Sequence, residues 1–121
     1  MMNRRLVGNE YESRAAEYLR ARGVTILCRN YRKQRGEIDL IGRDGEYLVF
    51  FEVKERSGNG SGYAAEAVTG SKRRTICAVS LYYLKEKRYA PDTPVRYDVI
   101  AVDGDVVTWI RNAFDYTGKA F

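Results

Sequence analysis

Tyr47-Leu48-Val49-Phe50-Phe51 is a fully apolar run, and it passes straight into Glu52-Val53-Lys54-Glu55-Arg56. Such a run predicts a strand over 47–54 that is buried on both faces and therefore central. Asp44-Gly45 just before it is a hairpin signal, and Gly36-Glu37-Ile38-Asp39-Leu40-Ile41-Gly42 predicts the partner strand. Residues 24–31 predict another strand, 95–102 a fourth, and 106–110 a fifth behind the turn Asp103-Gly104-Asp105. Two segments carry helical spacing instead. Tyr11, Ala15, Tyr18, Leu19 and Arg22 form a stripe over 8–22, closed by Gly23. Ile76, Val79, Tyr83 and Leu84 mark a helix over 72–88, ahead of the breakers Pro91 and Pro94. Ser57-Gly58-Asn59-Gly60-Ser61-Gly62 reads as a loop, followed by one helical turn over 64–68. The order α-β-β-β-α-β-β predicts an α/β fold with a mixed central sheet flanked by helices.

Alternation assigns faces to the charges. Glu52 and Lys54 share one face of their strand and Val53 takes the other. In the partner strand, Ile38 and Leu40 share a face, and Glu37, Asp39 and Ile41 take the opposite one. Asp39 lies about six residues before the hairpin turn and Glu52 about seven after it. They meet across the ladder unless the register slips by one. At roughly 100° per residue, Glu10 and Glu17 point away from the helical stripe. Glu12 flanks Ala15, Ala16 and Leu19, so it is the helix carboxylate able to reach the sheet. Two readings follow. One is a frayed strand end carrying a surface pair, Lys54 with Glu52 or Asp39. The other is a site of carboxylates and one ammonium at the edge of an apolar sheet. Unpaired charge near a core is costly, and paired charge often only breaks even.

Composition narrows the chemistry. The chain has 121 residues, enough for one domain with a modest core. Lys and Arg total 21 against 16 Asp and Glu, a formal charge of +5. The excess is clustered at Arg4-Arg5, at Arg29, Arg32, Lys33 and Arg35, at Lys72-Arg73-Arg74, and at Lys85, Lys87 and Arg88. Clustered positive charge suits a polyanion, or simply a solvated basic surface. There is no histidine, which removes Ser-His-Asp and Cys-His catalysis and the usual zinc sites. A metal held by carboxylates would be hard: magnesium, manganese or calcium. Cys28 and Cys77 form no CxxC pair and are expected as buried, reduced thiols. No apolar run approaches the roughly 20 residues that span a bilayer. The basic start is followed by Gly8-Asn9-Glu10 rather than an apolar signal core. A cytoplasmic protein without membrane association is expected.

Asp39…Glu52-Val53-Lys54 on a hairpin, preceded by a helix carrying Glu12, resembles the PD-(D/E)xK nuclease superfamily of restriction endonuclease-like and Holliday junction resolvase-like proteins. The resemblance is closer to the YraN-like family of bacterial proteins. It rests on Gly8…Glu12…Ala15…Tyr18-Leu19, Gly23, Asn30-Tyr31-Arg32, Gly36-Glu37-Ile38-Asp39-Leu40-Ile41, Phe51-Glu52-Val53-Lys54, Ala67-Val68-Thr69, Lys72 and Asp98-Val99-Ile100. Those positions cover nearly the whole chain. Ile38 stands where the superfamily label has a proline, which metal binding does not need. The resemblance implies a restriction endonuclease-like α-β-β-β-α-β core in a single domain over 1–121. It implies an endonuclease dependent on Mg²⁺ or Mn²⁺ that hydrolyses phosphodiesters in DNA, with branched or structured DNA among its candidate substrates. Asp39, Glu52 and the Val53 carbonyl would hold the metal. Lys54 would orient or deprotonate the attacking water, and would balance the carboxylates when the metal is absent. Glu12 would position a water or a second ion, and Glu37 is either an outer ligand or a solvent-facing residue. Arg32, Lys33, Arg35, Arg56, Lys72 and Arg73 would contact phosphates, which positions a substrate without reading its sequence. Tyr31 and Tyr63 would stack on bases or fill a core or groove. A nuclease that cuts two strands also raises a homodimer. Two other classes stay open: a non-catalytic nucleic-acid-binding module with the same fold, and a protein-interaction scaffold.

Overall fold

The computed structural model describes residues 4–55 and 68–116, with side chains from Glu10 onward in the first helix. Arg56, the glycine-rich loop, Tyr63 and the helical turn expected before Val68 lie outside the described residues. The elements are α1 (Arg4–Ala21), β1 (Thr25–Lys33), β2 (Gly36–Asp44), β3 (Tyr47–Glu55), α2 (Gly70–Glu86), β4 (Val95–Asp103) and β5 (Val106–Phe114).

The five strands lie in the order β1-β2-β3-β4-β5, so the apolar run of β3 is central as its sequence requires. Leu48, Val49, Phe50 and Phe51 are each no more than 2% exposed. β3 and β4 run parallel, and α2 lies in the connection between them; the other neighbours are antiparallel. A parallel pair needs such a crossover, since a tight turn cannot return the chain to the same end. The two helices cover opposite faces. Leu48, Phe50, Ile41 and Val99 pack with Ile76, Cys77, Val79 and Tyr83 of α2. Val49, Phe51, Leu40 and Ile100 pack with Ala15, Ala16 and Leu19 of α1. Truncating Phe50 or Phe51 to alanine removes a large side chain from one of these layers, at about 3–5 kcal/mol.

Three expectations change in detail. The buried stripe of α1 is Ala15, Ala16 and Leu19, whereas Tyr11 and Tyr18 are half-buried and Arg22 is exposed. Small alanines let a helix backbone approach a sheet, and the bulkier tyrosines fall to the margins. The Arg22 guanidinium covers the Tyr18 ring at 3.5 Å. The last strand continues to Phe114, whose ring stacks on Tyr97 at 5.3 Å and closes the α2-side core. Cys77 is buried as expected, but Cys28 is only half-buried; neither is in a disulfide. Among the described residues no helix is long and apolar enough to cross a membrane.

The departure that matters most lies in β1 and β2. Ile38 and Ile41 pack on the α2 side, but Leu40 packs on the α1 side, so the expected shared face of Ile38 and Leu40 is wrong. On β1, Cys28 and Tyr31 both pack on the α2 side although they are three residues apart. The reason sits between them. Asn30 has φ 53°, a conformation that a short polar side chain tolerates better than most and that reverses the pleat. Arg29 pairs with Leu40 and Tyr31 with Ile38, which sets Asn30 opposite Asp39. Both strands therefore change face at the Asn30–Asp39 step.

Candidate active site

The β2–β3 hairpin pairs Asp44 with Tyr47 and runs back to Leu40 with Phe51, where the ladder ends. One further step of the same register sets Asp39 opposite Glu52, the pairing that the sequence predicts. The strands part there. The Val53 N–H, lacking a ladder carbonyl, donates to Asp39 Oδ2 at 2.8 Å. In a strand the N–H and C=O of one residue project to the same edge. The Val53 carbonyl therefore also faces the gap that β2 has left.

Tyr11, Glu12, Asp39, Glu52, Val53, Lys54 and Glu55 line a cleft of about 240 Å³ at this gap. Four carboxylates thus come from three elements: Glu12 from α1, Asp39 from β2, and Glu52 and Glu55 from β3. Phe50 and Phe51, locked in the two core layers, hold β3 as it enters the cleft. Glu52 is only 6% exposed. Among the described residues its Oε2 has no hydrogen-bond partner, and neither does the buried Oε1 of Glu12. Burial drives the Glu52 carboxyl up from its ordinary 4.5 to about 9; Asp39 pushes the same way and Lys72 pulls it back. Burial also raises the Glu12 carboxyl, helped by Asp39 and opposed by Asn30 and Arg29. The Arg29 guanidinium stands 4.0 Å from Glu12 Oε1, at the edge of ion-pair range.

The cation beside Glu52 is not the one that strand alternation suggests. Lys72, in the first turn of α2, places Nζ 3.4 Å from Glu52 Oε2. Lys54 lines the cleft, half-buried, and appears in no ion pair of the described residues. The expected Lys54 pair with Glu52 or Asp39 is therefore absent among the described residues, and the expected balancing of the carboxylates falls to Lys72. The physical reason is that α2 packs over the face of β3 that carries Phe50 and Glu52, and its first turn brings a longer reach. Thr69 caps that turn, its side chain accepting from the Lys72 N–H at 3.2 Å.

The donors available to a metal are hard oxygens. Among the described residues no three acidic or thiol side chains converge closely enough to hold an ion by themselves. The hard donors that line the cleft are the Asp39 and Glu52 carboxylates beside the Val53 main chain, with Glu12 across from them. An orphaned carboxylate oxygen in an apolar setting favours a cation near it, so this donor set suits Mg²⁺ or Mn²⁺.

The basic residues named as phosphate contacts are more engaged than their exposure suggests. Arg32 Nε donates to Glu37 Oε2 at 2.9 Å, which makes Glu37 a partner of Arg32. Lys33 lies 3.7 Å from Glu86, which also accepts from the Tyr31 hydroxyl. Tyr31 packs edge-on against Tyr83, a core role rather than an exposed stacking platform. Arg73 donates to the Val68 carbonyl at 2.9 Å. Arg35 is exposed in the β1–β2 turn. That turn abuts α2 closely: a Cβ on Gly36 would stand 2.5 Å from the Thr75 methyl, so only glycine lets the two meet. Arg35 and Lys72 are thereby held on neighbouring elements.

Three residues matter here in ways that periodicity does not assign. Tyr11 lines the cleft and was read only as part of an apolar stripe. Asn30 breaks the pleat, and an Asn inside a strand is the signal that marks it. Asp98 is one of the motif positions Asp98-Val99-Ile100, to which periodicity gives no role. It is fully buried and accepts from Arg96, from Trp109 Nε1 at 2.8 Å and from the Asn112 N–H at 2.8 Å.

Comparison with known proteins agrees with the YraN-like resemblance. The model of uncharacterised protein family UPF0102 matches residues 11–102. A UPF0102 protein of Lachnoclostridium phytofermentans is 43% identical over 118 residues, covering 98% of this chain and 100% of its own. One from Vibrio cholerae is 44% identical over 115 residues, covering 93% of this chain and 94% of its own. One from Legionella pneumophila is 39% identical over 110 residues, covering 89% and 93%. The matched span holds Glu12, Asp39, Glu52 and Lys54, so the whole cleft lies within the shared region. The chain belongs to the uncharacterised protein family UPF0102, the YraN-like family that its motifs resemble.

Proposed function

We propose that this protein is a divalent-metal-dependent endonuclease that hydrolyses phosphodiester bonds in DNA. The observation that carries the reading is the buried Glu52 carboxylate with an orphaned oxygen beside Asp39, at a gap where the sheet parts. Asp39, Glu52 and the Val53 carbonyl would hold Mg²⁺ or Mn²⁺. When bound, such an ion supplies the Lewis-acid chemistry that phosphodiester hydrolysis needs in a chain without histidine.

The remaining residues take roles that follow from their placement. Lys54, on the cleft wall and outside the described ion pairs, would orient the attacking water and stabilise the charge that builds on the phosphate. Glu12 would hold a water through its unpartnered oxygen. Asp39 has a second task, because its hydrogen bond to Val53 fixes the main chain between Glu52 and Lys54. Arg35 in the β1–β2 turn and Lys72 beside Glu52 offer phosphate contacts, and a net charge of +5 favours a polyanion.

The test is a cleavage and binding panel on branched, single-stranded and duplex DNA, with Mg²⁺, Mn²⁺ or chelator. Wild type is expected to cut at least one substrate with metal, and Lys54→Ala to lose turnover while retaining binding. Salt-sensitive binding without turnover, equal in Asp39→Ala and Lys54→Ala, would make the protein a non-catalytic binding module. No affinity at low salt would leave the scaffold reading.

A further inference from the structure

Lys72 is the counter-cation of the most deeply buried carboxylate in the cleft, yet it comes from a different element and keeps a route to water. Its side chain is 44% exposed while Glu52 is almost wholly covered. Its backbone is pinned: Thr69 caps the turn, and one turn further on Thr75 abuts Gly36. The flexible stem and ammonium are thus the mobile part of a fixed arm. The contact to Glu52 is an ion pair at 3.4 Å whose alignment gives Oε2 no hydrogen bond. Such a contact neutralises charge without locking the lysine in place.

We propose that Lys72 is a resident stand-in for the divalent ion, holding the place beside Glu52 in the free protein and transferring to a nucleic-acid phosphate when the ion takes its place. This rests on the metal-dependent reading above. A cation this close to Glu52 must be repelled or displaced by a second cation on the same carboxylate, so Lys72 weakens metal binding in the free protein. A polyanionic substrate draws the ammonium outward and lifts that penalty. By reciprocity, metal then strengthens substrate binding by the same factor. The site would therefore load with metal chiefly when a phosphate backbone is at hand. Lys72 is a positioning residue in this scheme, acting through Glu52. Lys54 differs from it in kind, because it lines the cleft without an ion pair among the described residues.

Mn²⁺ titration of the full chain, followed by calorimetry and by the spin-resonance signal of free Mn²⁺, tests this without any turnover. Wild type, Lys72→Gln, Lys72→Met and Lys72→Arg are compared in the absence of DNA, with unfolding curves in chelator. Lys72→Gln and Lys72→Met are expected to bind Mn²⁺ about fivefold tighter or more, and Lys72→Arg to match wild type. In chelator both neutral variants are expected to unfold more easily, with Mn²⁺ restoring them. A merely structural lysine would move metal affinity the other way, because a loosened α2 disorders the site. Equal or weaker Mn²⁺ binding by both neutral variants overturns the proposal and leaves the metal site standing. Absence of Mn²⁺ binding by all four proteins overturns both the proposal and the metal-dependent reading.

Discussion

Asp98 on β4 and Glu52 on β3 are buried carboxylates on neighbouring parallel strands, and Asp98 pairs in register with Phe51, the residue before Glu52. Asp98 receives both Arg96 nitrogens, at 2.9 Å from Nη2 and 3.0 Å from Nε, together with the Trp109 indole and the Asn112 amide. Arg96 is satisfied in turn, since its Nη2 also reaches Asp44 at 2.8 Å and ties β4 to the β2–β3 turn. Among the described residues Glu52 has an oxygen with no hydrogen bond, one lysine at its side and three further carboxylates, Glu12, Asp39 and Glu55, around the same cleft. A buried anion that its own chain satisfies is architecture. A buried anion left short of donors, at a gap open to solvent, is a place for a cation from outside.

That contrast can be broken from either side. The largest effect is expected at Asp98. Asp98→Ala leaves the Arg96 guanidinium buried without its main partner, at about 3–5 kcal/mol, read as a fall in the urea midpoint that divalent ions do not repair. At Glu52 the sign reverses. In chelator at neutral pH, Glu52→Gln spares the native state the cost of holding a proton that the unfolded chain has released, and is expected to stabilise the fold by on the order of 1 kcal/mol. The same variant is expected to lose any stabilisation by Mg²⁺ or Mn²⁺. A Glu52→Gln protein less stable than wild type in chelator would place Glu52 in the same class as Asp98.

Titration distinguishes the two sites next. The folded pKa of Glu52 is raised above its unfolded value, so the native state holds a proton that the unfolded chain has already released. Its contribution is fully present below about pH 4.5 and is lost as pH rises towards about 9. Metal-free wild type is therefore expected to lose stability across that window, and Glu52→Gln to flatten the slope; parallel slopes in urea unfolding would refute this. The smallest effect belongs to the surface. Arg32 pairs with Glu37 but its side chain is 67% exposed, so Arg32→Ala should change stability by only about 0.2–1 kcal/mol.

The sequence carried the hairpin well. Asp44-Gly45 sets the turn, β3 is apolar enough to be central, and counting outward from the turn brings Asp39 and Glu52 together. Glu12 followed from its flank position on α1. What alternation could not supply was the break in alternation. Asn30 at positive φ switches the pleat of β1, and β2 follows at Asp39, which opens the gap. Nor could strand periodicity say which lysine meets Glu52. Lys54 is two residues away on the same strand, but Lys72 comes from a helix packed above it, a tertiary fact with no local signature. Arg96 and Asp98 show the reverse case. Opposite charges two apart in an apolar strand share one face, and that spacing was a legible sign of the pair. The Trp109 and Asn112 partners depend on how β5 folds back and were not legible.

Thermal unfolding of wild type and Asp39→Ala across a Mg²⁺ and Mn²⁺ titration tests the central claim most directly. A ligand that binds only the native state raises the midpoint in a saturable way. Wild type is expected to show that rise, and Asp39→Ala, lacking a proposed ligand and the bond that fixes Val53, to show none. No rise in wild type, or an equal rise in both proteins, would contradict a cation site between β2 and β3.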